Sequence, residues 1–209
     1  MKTLLLPALL ATWIAGSTMP AHASVMVRLS TNQMVDASDS IVRGKILEVW
    51  TEEDARGVVW TRAQLEVTQV LKGDSNKKKY ILDQMGGTFG GSQSFVNGRA
   101  HFSVGEEGIF FLENMKSGRT MTIGLSQGKY TLRLDPHSRQ TIVQRYAPPR
   151  GKAYDHRFIP LPPKGEELVT LDDLVDSIET RLAAGWDGKA IPGTSLERLT
   201  RINGLEVTR

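Results

Sequence analysis

The stretch SDSIVRGKILEVWTEEDARGVVWTRAQLEVTQVLKGD, Ser38 to Asp74, reads as two long strands joined by a polar turn. In its second half Ala63, Leu65, Val67 and Leu71 share one parity, and Arg62, Gln64, Glu66 and Thr68 share the other. A period of two buries one face of a strand and wets the other. The first half, Ser40 to Trp50, places Val42, Gly44 and Ile46 on one parity, and then moves the apolar pattern to Leu47 and Val49. Such a phase change is what a β-bulge or sharp bend produces, and a small barrel needs such bends. Gly44 fits the same reading, because a strand glycine often marks close approach of another backbone. The turn is Glu52-Glu53-Asp54-Ala55-Arg56-Gly57, so the second strand runs from Val58 to Leu71.

Working outward, Ser30-Thr31-Asn32 offers helix caps, and Met34, Val35 and Ala37 form one apolar side, predicting a short helix over 31–37. A third strand is expected from Lys79 to Gln84. Residues 85–105 hold glycines at 86, 87, 90, 91, 98 and 105 and form one long irregular segment. A loop of that length inside a domain is uncommon and often functional. Glu107 to Leu112 contains the unbroken run Ile109-Phe110-Phe111-Leu112, the mark of a strand buried on both faces. Strands follow at Thr120–Leu125, at 130–134 with Tyr130, Leu132 and Leu134 alternating, and at Thr141–Arg145.

The character then changes. Five prolines between 147 and 165 (Pro148, Pro149, Pro160, Pro162, Pro163) favour an extended connection. Thr170 caps a helix of about four turns, in which Leu171, Leu174, Val175, Ile178 and Leu182 recur at helical spacing and Gly185 closes the end. That stripe is expected to pack on the strands and close their core. Residues 186–209 are polar and weakly patterned; a short helix from Ser195 to Ile202 and an unstructured tail both fit. The organisation is thus a leader over 1–23, a β domain over 24–146, a proline-rich linker over 147–167, and a C-terminal helix and tail over 168–209.

The leader is read from Lys2, a short apolar run from Leu4 to Ala15, and Ala21-His22-Ala23 with small residues at the cleavage positions. This is the layout of a secretory signal peptide cut after Ala23, and the run falls short of the roughly 20 residues a membrane span needs. The mature protein is expected to be periplasmic or secreted, without a membrane span. The 209-residue chain has no cysteine, so burial rather than a disulfide framework must stabilise it. Charge is nearly balanced, with 26 basic and 23 acidic side chains. A nucleic-acid partner is therefore not expected. The Lys77-Lys78-Lys79 run reads as a solvated loop and strand edge.

Catalytic signatures are missing from the pattern. His101, His137 and His156 have no metal-ligand spacing, a thiolate site is impossible without cysteine, and no Gly-x-Ser-x-Gly elbow occurs. The GGTFGG run at 86–91 lacks the Lys-Ser/Thr of a phosphate loop, and its glycines read as turn formers. No catalytic residue, metal or cofactor is expected.

Asp39-Ser40-Ile41-Val42-Arg43-Gly44-Lys45, the strand ending Val70-Leu71-Lys72-Gly73, and Gly105-Glu106-Glu107 before an apolar strand together resemble the netrin-like module. That module is the OB-type barrel of the tissue inhibitors of metalloproteinases. The chain also resembles a class of exported bacterial proteins without assigned activity. The likeness covers about residues 36–135. It implies a mainly β fold, an OB-like barrel with a short N-terminal helix and one C-terminal amphipathic helix; a two-sheet sandwich is the alternative. OB-type barrels bind partners through a sheet face and adjacent loops. The 85–105 segment is then the expected binding site, with Phe89, Phe95, Asn97, Arg99 and Phe102 as its residues and a protein or matrix component outside the cytoplasm as partner. The alternative the resemblance implies is protease inhibition through the processed N-terminus, Ser24, Val25 and Met26, although the cysteines that pin that segment in the inhibitors are absent.

Overall fold

The protein is mainly β. The computed structural model describes residues 26–145, 153–154 and 167–204; the expected leader over 1–23, Ser24, Val25 and most of the proline-rich segment lie outside the described residues. Its framework is the pair formed by β2 (Ser40–Glu53) and β3 (Val59–Lys72), antiparallel over their whole lengths. Leu47 has no partner across this ladder, because Ile46 faces Leu65 while Glu48 faces Gln64. This bulge is the phase change visible in the sequence: it puts Ile46 and Val49 on one face and leaves Leu47 exposed. Gly44 faces Val67 so closely that a Cβ there would overlap the Glu66 carbonyl oxygen.

The simple alternation expected in β3 needs correction at its far end. Two further register shifts leave Thr68 and Leu71 unpaired. As a result Val67 and Val70 both join the inner core, and Leu71 turns to the opposite cluster. A bulge inverts every parity beyond it.

The other elements extend this frame. Ahead of it lie β1 (Met26–Val27) and α1 (Thr31–Ala37), the latter capped by Ser30 with Gln33 closing the capping box. After it come β4 (Lys79–Met85), the small hairpin β5 (Gly87–Phe89) and β6 (Ser92–Ser94), β7 (Glu107–Asn114) and β8 (Thr120–Thr122). A 3-10 turn at Leu125–Gly128 leads to β9 (Lys129–Leu134) and β10 (Thr141–Arg145). The chain is described again at β11 (Ala153–Tyr154), β12 (Glu167–Thr170), α2 (Leu171–Ala184) and α3 (Leu196–Ile202). The main sheet runs β12-β10-β9-β7-β2-β3-β4-β8, and it curls until β8 also pairs with β7. β4 and β8 share one parallel residue pair, Leu82 with Thr120, so the expected barrel is not closed. Beyond β7 the sheet continues outward to β12.

That continuation explains the double-faced run in β7. Phe110 and Leu112 enter an inner core with Val42, Ile46, Ala63, Leu65, Tyr80 and Leu82. Ile109 and Phe111 face the other way, into a second core with Ile41, Tyr130, Val143, Met34 and Val35. Leu174 and Ile178 of α2 and Leu199 of α3 are buried in this second core, with Leu171, Val175 and Leu182 packed against it. The apolar stripe is therefore buried as expected, but on the outer side of the sheet instead of over the barrel core. Two ion pairs fasten the helices there. Arg181 forks onto Asp36 at 2.9 and 2.7 Å, and Arg198 meets Asp39 at 2.7 Å.

Candidate functional site

The 85–105 segment is more ordered than its glycine content suggested. β5 and β6 pair through Gly87–Ser94, Thr88–Gln93 and Phe89–Ser92. Gly90 and Gly91 form the two-residue turn between them, at φ 56° and 81°. Positive φ at both turn residues matches the right-handed twist of a hairpin and requires residues without a steric penalty there. Thr51 Oγ1 donates to the Thr88 carbonyl at 2.8 Å, tying the hairpin to β2.

The five candidate residues separate into two environments. Phe89 and Phe95 are exposed, at 41% and 69%, and Asn97 is exposed beside them in sequence. Phe102 packs against the inner core, with Lys129 Nζ 5.6 Å from its ring centre. Arg99 is half-buried at the same end of the sheet, where Nη1 donates to Thr61 Oγ1 at 3.3 Å. The Thr61 hydroxyl in turn donates to the Gly86 carbonyl at 2.6 Å.

Three polar side chains at this end have no signature in motif terms. Gln84 lies opposite Thr61 in the β3–β4 ladder and is fully buried, yet neither end of its amide has a hydrogen-bond partner among the described residues. Arg99 Nε and the buried Ser126 hydroxyl are likewise unpartnered among them. Ser126 is joined to this segment through its own N–H, which donates to the Gly98 carbonyl at 2.9 Å. Gln84 was legible in one respect: Tyr80, Leu82 and Gln84 share the buried parity of β4, where an amide is out of place. Ser126 gave no such signal.

Two cations, Arg99 and Lys129, and one carboxylate, Glu106, act on His101 here. Lys129 Nζ lies 2.6 Å from Glu106 Oε1, which also accepts from Thr131 Oγ1, and Lys129 donates to the His101 carbonyl. Burial, and then the charges of Arg99 and Lys129, hold the His101 imidazole below its ordinary pKa against the opposing pull of Glu106. Arg99 pairs with no carboxylate among the described residues.

The remaining candidates fall elsewhere. His137 sits in the turn after β9, nearly fully exposed beside Asp135, and His156 lies outside the described residues. Among the described residues, no group of three or more His, Asp or Glu side chains is placed to hold a metal. Met26 is in β1, which pairs in parallel with β11, and its neighbours Ser24 and Val25 lie outside the described residues. A larger charged network on the outer face of β3 and β4 is self-satisfied. There Asp83 accepts from Arg62 at 2.9 Å and Arg119 at 2.8 Å, while the Arg119 guanidinium stacks 3.9 Å from the Trp60 ring centre. The chain matches no protein-family model and no curated protein sequence.

Proposed function

We propose that the chain is an exported, non-catalytic binding module that engages a protein or matrix component outside the cytoplasm through its 85–105 segment. The observation that carries this reading is the exposure of large apolar side chains along one segment: Met85, Phe89, Phe95 and Val104. Large apolar side chains in solvent are informative where they gather, and aromatic residues dominate the energetics of protein interfaces. The scaffold beneath them is read as an OB-type barrel. Support for that comes from the curl of the sheet through β7, β2, β3, β4 and β8, with β8 returning to β7 and meeting β4 at a single parallel pair.

The double variant Phe89→Ala/Phe95→Ala tests the binding reading in capture from the envelope of the producing organism. Loss of the captured partner, with an unchanged thermal midpoint, is the expected result. Capture by the double variant at wild-type level would remove the segment from consideration.

A second reading, inhibition of a protease through the processed N-terminus, has one observation in its favour. Gln127 holds the N-terminal segment by accepting from Leu29 N–H and donating to the Val27 carbonyl, both at 2.9 Å. Arg145 adds a bond to the Leu29 carbonyl at 2.8 Å. These contacts supply a fixed anchor without cysteine. One extra residue ahead of Ser24 abolishes inhibition on this reading and leaves 85–105 binding untouched on the first.

A further inference from the structure

Thr61, Gln84, Arg99 and Ser126 come from four separate parts of the chain, and the bonds and register described above gather them at one end of the inner core. A buried amide with no partner at either end costs the full desolvation of both its donor and its acceptor. A guanidinium with a buried, unpaired Nε adds a cationic donor with the same deficit. The unmet groups are mainly donors: Arg99 Nε, the Gln84 NH2 and the Ser126 hydroxyl. What they lack in common is a compact anionic acceptor with more than one oxygen. Arginine is the side chain whose fork matches a carboxylate, donating to it through two parallel bonds. The Arg99 cation, paired with no carboxylate among the described residues, favours a negative charge here, and Glu106 is already committed to Lys129 and Thr131.

We propose that this end of the inner core, between Thr61, Gln84, Arg99 and Ser126, is a binding site for a single carboxylate group. Arg99, half-buried, is its entrance; Gln84, fully buried, is its floor. The carboxylate comes either from a small free acid or from an acidic side chain of the partner, and both present the same chemistry. The inference rests on the binding reading above and deepens it: Phe89 and Phe95 supply apolar contact, and Arg99 reads charge beside them.

The test is NMR of the Arg99 Nε–H and Gln84 side-chain NH2 signals during titration with sodium acetate, with N-acetyl-glutamate amide, and with sodium chloride at matched ionic strength. Saturable shifts of both signals with a carboxylate, absent with chloride, are expected. Acetate alone giving saturation identifies a free acid as the ligand, and tighter binding of the blocked glutamate identifies a partner side chain. Arg99→Gln is expected to weaken binding at least tenfold and Gln84→Met severalfold, while Arg99→Lys, keeping charge without the fork, recovers part of the loss. Equal, non-saturating shifts with all three salts would mean an adventitious ion only and overturn the proposal, as would saturable acetate binding that Arg99→Gln leaves intact. The two readings fail separately. No carboxylate binding with capture still dependent on Phe89 and Phe95 removes only the site, and saturable acetate binding with capture independent of them removes only the surface.

Discussion

Asp54 shows how a turn residue becomes an acid-sensitive fastener. Its partial burial pushes the carboxyl up, but N–H bonds from Val58 and Arg56 and the indole N–H of Trp60 outweigh this and bring its pKa to about 2. A carboxyl depressed in the folded state contributes stability above its ordinary value of 3.8 and loses it as pH falls toward 2. Asp54→Asn is therefore expected to lower the thermal midpoint at pH 6 and to converge with the wild type near pH 2. A gap that stays constant across that range would show the carboxylate charge to be irrelevant. Lys72 is also shifted downward, but here the shift disfavours the charged form. Burial lowers its pKa from 10.5 to about 8, against the attraction of Asp36 and Asp39, while Nζ donates to the Val35 carbonyl at 2.8 Å. Between pH 8 and 10.5 the unfolded chain holds this proton more tightly than the folded one, so stability rises with pH there. Denaturant unfolding at pH 7.5 and pH 10 is expected to show the wild type gaining on Lys72→Met as pH increases; parallel behaviour would contradict it. Single residues also mark what a sequence can disclose. Gly44 announced a close backbone approach, whereas Gln84 passed without notice although it shares a parity with Tyr80 and Leu82. Ser126, placed by a 3-10 turn and one N–H bond to a distant loop, had no local pattern to betray it.

At the scale of elements, periodicity was readable wherever one face of a segment is buried. The two long strands, the doubly buried β7, α1 with its capping box and the stripe of α2 all follow from side-chain spacing and caps. β12 escaped notice because four residues after a proline-rich stretch carry too little pattern; the free edge of β10 makes them a strand. The hairpin of β5 and β6 was hidden in a run of glycines, two of which are its turn. The face that α2 covers was not readable either, since a stripe states how much is buried and not against what. Ile178, fully buried among both helical and strand residues, tests that packing. Ile178→Ala is expected to cost about 2–5 kcal/mol in denaturant unfolding, and Glu179→Ala on the exposed side within about 0.5 kcal/mol. Similar costs for the two would mean that α2 is not seated on the second core.

For the whole molecule, two cores share one sheet, and the second is closed only by segments at opposite ends of the described chain. α1 comes from the beginning, α2 and α3 from the end, and Asp36–Arg181 and Asp39–Arg198 join them. Truncation at Pro163 removes β12, α2 and α3 together, which bares Met34, Val35, Ile109 and Val143. A lower thermal midpoint and strong binding of an apolar dye such as ANS are expected, because each large aliphatic uncovered forfeits roughly 1.5–3 kcal/mol. A truncated chain melting with the full one would make the helical layer an independent element.

The proposed binding through the 85–105 segment is best tested in the producing cell. A photoreactive amino acid placed at Phe95 and, separately, at the equally exposed Leu134 compares that segment with the end of β9 under identical conditions in the producing cell. The expected result is one discrete adduct from position 95, lost when Phe89→Ala and Arg99→Gln are added, and none from position 134. Adducts of equal yield and identity from both positions would contradict a partner bound through the hairpin end.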